Sequence, residues 1–192
     1  YEEIIQIRRS ILEEHPNDVD NSVDLGGLYC NQGLTLVRRK NEEEALRYFM
    51  LAVKVLRATH DKHPSHTTAK NYLLSSLTNH ALSLRLLGRY EESLAKYDEA
   101  IRICEGEASR LARVRGSRAT TLALMGDHVE ATREGDALIA GADSPYNLAC
   151  VFALAAAAVN ADESLPAERR KELSESHALQ AMELLTRCRT DG

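Results

Sequence analysis

Apolar residues recur at three- and four-residue steps along almost the whole chain, with polar residues between them. Ile4, Ile5, Ile7, Ile11 and Leu12 open the pattern. This spacing puts apolar side chains on one face of a helix. It predicts helices over about 1–14, 21–39, 42–59, 67–87, 90–104, 107–125, 127–140, 145–159 and 166–189. The breaks are short. His15–Pro16–Asn17 ends the first helix, and Asn41, Gly88–Arg89 and Gly126–Asp127 mark tight turns. Asp143, Ser144 and Pro145 offer an N-cap and a first-turn proline. Connections this short make neighbouring helices antiparallel.

Composition agrees with an all-α chain. Of 192 residues, 44% are hydrophobic, only four are proline, none is Trp and two are Phe. Leu and Ala, both good helix formers, dominate the apolar set. The net charge of −5 argues against general nucleic-acid binding, which needs clustered cations. Cys30, Cys104, Cys150 and Cys188 lie far apart without a C-x-x-C pair, so they read as apolar fillers of a reduced, cytoplasmic-type interior rather than as disulfides. Ala149–Val159, the longest strongly apolar run, is too short to span a bilayer, so no membrane insertion is expected. No signal peptide is read at the start of the chain. The chain opens at Tyr1 inside a helical pattern, so it reads as a piece of something longer.

Two repeats overlie the helices. Small residues recur twelve apart, as Gly33 with Ala45, Ala81 with Ser93 and Ala119 with Ala131. Such pairs let the two helices of a hairpin cross closely. His15–Pro16 recurs 48 residues later as His63–Pro64. In the same register Tyr1 matches Phe49, Ile5 matches Val53, Leu25 matches Leu73, Asn31 matches Asn79, and Leu34 matches Leu82. A lone hairpin cannot bury its apolar faces, so hairpins of this kind stack.

These residues resemble the tetratricopeptide repeat (TPR), with its W-x2-L-G-x2-Y, A-x3-F and later Pro. The first hairpin carries Tyr29, Gln32, Gly33, Leu36, Ala45, Phe49 and Ala52. The second carries Leu77, His80, Ala81, Leu84, Ser93, Tyr97 and Ala100. The third carries Arg115, Arg118, Ala119, Leu122, Ala131, Gly135 and Leu138, with arginine at two usually apolar sites and glycine where an aromatic is usual. A looser fourth carries Leu148, Ala149, Phe152, Ser174, Ala178 and Ala181. The resemblance implies a right-handed superhelix of antiparallel hairpins, a TPR-like α-α solenoid, forming one array over 1–192. Residues 1–16 would be the second helix of a truncated repeat. Hairpins would follow at 21–60, 67–105 and 107–141, and a looser capping hairpin at 145–189. The segment from Tyr146 through the alanines, Glu168–Arg169–Arg170 and the run from Ala178 resembles the C-terminal TPR region of planctomycete-type bacterial serine/threonine kinases. That implies a non-catalytic region of a larger signalling protein. The chain itself has no phosphate loop, H-R-D or D-F-G.

Candidate chemistry follows from this frame. In the family, first helices line the concave face. A peptide groove would then use Asn31, Leu34, Arg38, Asn79, Leu82, Arg85, Arg113, Arg115 and Thr120. Arg110, Arg113, Arg115 and Arg118 form a cationic row that could grip an acidic peptide, or be a solvated face paired with Glu105, Glu107 and Glu134. Asn31 and Asn79 could clamp a backbone or simply bond between helices; the lysine of the chaperone-binding clamp is missing. His60, His63 and His66 share a three-residue spacing, but Pro64 and Ser65 interrupt it, so an inter-repeat loop is favoured over a metal site. Glu42–Glu44, Glu91–Glu92 and Glu168 suit first turns of helices. Ala153–Ala158 reads as a tightly packed buried stretch. The expectation is a protein-protein interaction scaffold, not an enzyme, without metal or cofactor. Its alternative is a self-association module that dimerises or spaces its parent chain.

Overall fold

The computed structural model describes residues 2–104, 106–139 and 145–190, without the side chains of the last two. The Tyr1 match, the Glu105 partner of the arginine row and the Asp143–Ser144 cap lie outside the described residues. Nine α-helices and no strand are found among them: α1 Glu2–Glu14, α2 Val19–Arg38, α3 Glu42–Lys62, α4 Thr67–Leu86, α5 Tyr90–Ile103, α6 Ala108–Met125, α7 His128–Ile139, α8 Pro145–Ala161 and α9 Ala167–Thr190.

Caps set the ends. Asp18 accepts the Asn21 amide at 2.9 Å and starts α2 two residues before the apolar pattern suggests. Asn41 caps α3, and the imidazole Nδ1 of His66 accepts the Ala69 amide at 3.2 Å to start α4. Glutamates occupy the first turns of α3, α5 and α9, where the helix dipole favours them.

The chain forms two compact units, Tyr1–Ile103 and Cys104–Gly192. In the first, α1 packs on α2, α2 on α3, α3 on α4 and α4 on α5. The α1–α2 joint is a reciprocal pair of hydrogen bonds: Arg8 Nη1 donates to Asn21 Oδ1 and Asn21 Nδ2 donates to the Arg8 carbonyl, both at 2.9 Å. Asn21 can be buried because both ends of its amide are satisfied. Small residues set the hairpin crossings. A Cβ on Gly33 would stand 2.6 Å from the Phe49 ring, and one on Gly26 would stand 2.4 Å from Leu56. Ser93 is fully buried and donates to the Ala81 carbonyl at 2.8 Å. Ala45, Ala52, Ala81 and Ala100 are fully buried, with Phe49 and Tyr97 filling the space around them.

The second unit packs α6 on α7, α7 on α8 and α8 on α9. Ala119 and Ala131 are fully buried. Gly135, which breaks the aromatic pattern, lies under the Phe152 ring, 3.0 Å from where a Cβ would be. The bulk missing from α7 is supplied by α8. Phe152 joins Leu148, Ala149, Ala181 and Leu184 in one core. His128 meets Asp162 at 3.2 Å and ties α7 to the turn after α8. Hydrogen bonds from Ser164, then from His128, hold the Asp162 carboxyl below the usual carboxylate range. The alanine run of α8 is only half buried. Ala155 and Ala156 face the core, whereas Ala153 and Ala157 are exposed on the opposite side.

Candidate functional site

Within each unit the first helices of consecutive hairpins touch: α2 meets α4, and α6 meets α8. Among the described residues no comparable packing joins α3 to α5 or α7 to α9. The first helices of each unit therefore share a seam that the second helices do not.

In the first unit the α2–α4 seam is built from small groups. Gly27 lets the Tyr72 ring approach, leaving only 3.0 Å for a Cβ, and Cys30 Sγ lies 3.7 Å from Ser75 Oγ. Leu34, one turn beyond Cys30, and Leu82, two turns beyond Ser75, are half-buried. Asn31 and Arg38 are exposed beside them, and Arg85 is half-buried. Half-buried leucines thus stand next to exposed polar residues on these two helices. Asn79 is less free than Asn31. Its Nδ2 donates to the Ser75 carbonyl at 2.7 Å and to Ser75 Oγ at 3.3 Å, so its donors are engaged by its own helix. Sequence reasoning missed Thr35 and Leu86. Thr35 is half-buried between Asn31 and Arg38, and Leu86 is 58% exposed one turn beyond Leu82. Helical spacing from Leu82 would have found Leu86.

In the second unit the arginine row divides. Arg110 pairs with Glu107 at 3.0 Å, and Arg118 pairs with Glu134. Burial pushes the Glu134 carboxyl up, with the Arg118 charge opposing it. Arg113 and Arg115 are exposed without an ion-pair partner among the described residues. Thr120 is half-buried and its hydroxyl donates to the Gly116 carbonyl at 2.9 Å.

The histidine trio is dispersed by its turn: His60 ends α3, His63 follows it, and His66 caps α4. Among the described residues no three His, Cys, Asp or Glu side chains converge to hold a metal. Of the two buried histidines, His128 is paired with Asp162 and the Nδ1 of His80 has no hydrogen-bond partner. Burial lowers His80 to about 4 and also lowers His177. A fully formed acid–base pair would need a second perturbed group within reach of the first; Glu134 instead meets an arginine.

Residues 72–135, from α4 to α7, match the tetratricopeptide repeat family. No curated protein matches the chain. The crystal structure of BtubC (BKLC) from P. vanneervenii is similar to it, with a TM-score of 0.65 at 17% identity, over 97% of this chain and 73% of that one. That likeness shows the fold, an all-α solenoid of TPR-like hairpins. Tetratricopeptide repeats generally mediate protein–protein contacts and are typically non-catalytic. No helix among the described residues is long and apolar enough to cross a membrane.

Proposed function

We propose that this chain is a protein-binding scaffold whose ligand, a peptide or protein segment, lies along the first helices of its hairpins. The observation that carries this reading is the α2–α4 lane, where half-buried Leu34 and Leu82 run beside exposed Asn31 and Arg38. An extended or helical segment would bury apolar side chains on the leucines and take polar contacts from the margins. Asn79 and Arg85 complete that lane. On α6, Arg113, Arg115 and Thr120 offer a second, cationic set suited to carboxylates. The test is affinity capture from the source cell, followed by titration of the purified partner. Arg38→Glu, or Arg113→Glu with Arg115→Glu, should weaken the captured partner at least about tenfold, as expected when a charge in a contact is reversed. Partners retained at full affinity by all these variants refute the reading.

The finer proposal makes the chain a cytoplasmic, non-catalytic regulatory region of a larger serine/threonine kinase. It rests on the resemblance of the α8–α9 segment, and on the four free thiols for the compartment. Reading the whole parent gene for an H-R-D and D-F-G pair tests it. A second reading, self-association, is favoured by the outer side of α9, where Leu179, Met182 and Leu185 are 61%, 63% and 43% exposed. Light scattering at high concentration separates the two, since a monomer refutes self-association.

A further inference from the structure

A cavity of about 330 Å3 opens in the first unit, away from the α2–α4 lane, where the end of α1, the start of α2 and the end of α3 meet. Both copies of the repeated His-Pro turn contribute to it. Pro16 from the first copy and His63 from the second both line it. Its floor is apolar, with half-buried Leu12 from α1, Val19 from α2 and Val55 from α3. Its ionisable lining is entirely basic: Lys54, Lys62 and His63, all exposed. The chain as a whole carries 29 acidic residues against 24 lysines and arginines, so an acid-free lining runs against its composition. Neither lysine has an ion-pair partner among the described residues. Eight residues separate them on one helix, which sets their α-carbons about 12 Å apart along its axis.

We propose that this crevice is a second binding site, which takes an acidic peptide segment of a partner protein. One apolar side chain of the segment drops onto Leu12, Val19 and Val55, and carboxylates on either side of it reach Lys54 and Lys62. Three features select this occupant. The cavity is at the small end of the range for ligand pockets, about 300–1,000 Å3, and holds a side chain rather than a whole ligand. The cations stand apart at its margins rather than converging on one anion. Neither lysine is ion-paired among the described residues, so carboxylates of a partner can complement both.

The probe is a fluorescein-labelled acetylated hexapeptide, Glu-Asp-Leu-Leu-Asp-Glu, titrated with the full chain and followed by anisotropy. Saturable binding that weakens as salt rises is expected, because exposed charges are screened. Lys54→Glu with Lys62→Glu should weaken it about tenfold or more, with the cooperative melting transition retained because both side chains are exposed and the change at the end of α3 opposes only the helix dipole. A peptide with Gln and Asn for the acids, and one with Ser for both leucines, should each bind more weakly. Arg102→Glu, an exposed reversal on α5 away from the crevice, should leave the peptide affinity unchanged. A loss of binding on Arg38→Glu alone would instead place the peptide in the α2–α4 lane and overturn the crevice. Absence of saturable binding, equal binding of the neutral peptide, or undiminished binding to the doubly reversed variant overturns the proposal.

Discussion

A single carbon added at Gly33 would stand 2.6 Å from the Phe49 ring, in a helix crossing that has no room to relax. Gly33→Leu should therefore lower the melting temperature clearly, with a cost of about 1–3 kcal/mol or more from overpacking. Gly116 is the opposite case: it is helical, and nothing lies within 4 Å of a Cβ built on it. Gly116→Ala should raise stability by about 0.5–1 kcal/mol in urea unfolding, from helix propensity and a stiffer unfolded chain. Equal effects at both sites would contradict the crossing. His80 makes the pH prediction. Burial, helped by Lys96 and Arg89 and opposed by Glu92, lowers it to about 4, and its Nδ1 has no hydrogen-bond partner. The unfolded chain thus takes up this proton at a higher pH than the folded one. Stability from His80 is present above about pH 6.5 and is lost as pH falls from there towards 4, by up to about 3 kcal/mol. Replacing His80 with Phe should flatten that part of the stability–pH curve. An unchanged slope would show that His80 is not the group responsible.

Three hairpin turns share one geometry. The amides of Lys40, Gly88 and Gly126 bond to the carbonyls of Val37, Arg85 and Ala123, and those of Asn41, Arg89 and Asp127 bond to Leu36, Leu84 and Leu122. All three pivots have left-handed backbone, with φ of 58°, 73° and 96°. Two are glycine; the first is lysine and pays the steric cost of a Cβ. Lys40→Gly should stabilise the chain by about 0.5 kcal/mol or more, and Gly126→Ala should destabilise it by about 1 kcal/mol. Thermal unfolding of the pair checks both signs. The turns were legible in the sequence because glycine, asparagine and aspartate punctuate it. The strained lysine was not, since a charged residue before Asn41 looks like ordinary surface. Helix existence was equally legible, through the 3.6-residue period. The ends were less so: Asp18 and Asn21 are both plausible caps, and only the hydrogen bond to the Asn21 amide decides between them.

For the whole molecule, thiol accessibility gives a direct test. Cys30 and Cys104 are 1% and 0% exposed, whereas Cys150 and Cys188 are half-buried. In native conditions a thiol reagent should modify Cys150 and Cys188 quickly, and Cys30 and Cys104 only on opening of the fold. Four equally fast thiols would mean that the buried pair is misplaced. By itself the sequence determined the helices, their antiparallel pairing and the small residues at their crossings, because these follow from local periodicity and steric size. Tertiary structure alone decided the surface. It neutralised Arg110 and Arg118 while leaving Arg113 and Arg115 open, set Phe152 over Gly135, and gathered Leu12, Val19 and Lys62 around one crevice. Apart from the Arg110–Glu107 pair, whose partners are three residues apart, those outcomes depend on which side chains meet across different helices. Helical period constrains the face a residue occupies, but not the partner waiting opposite it.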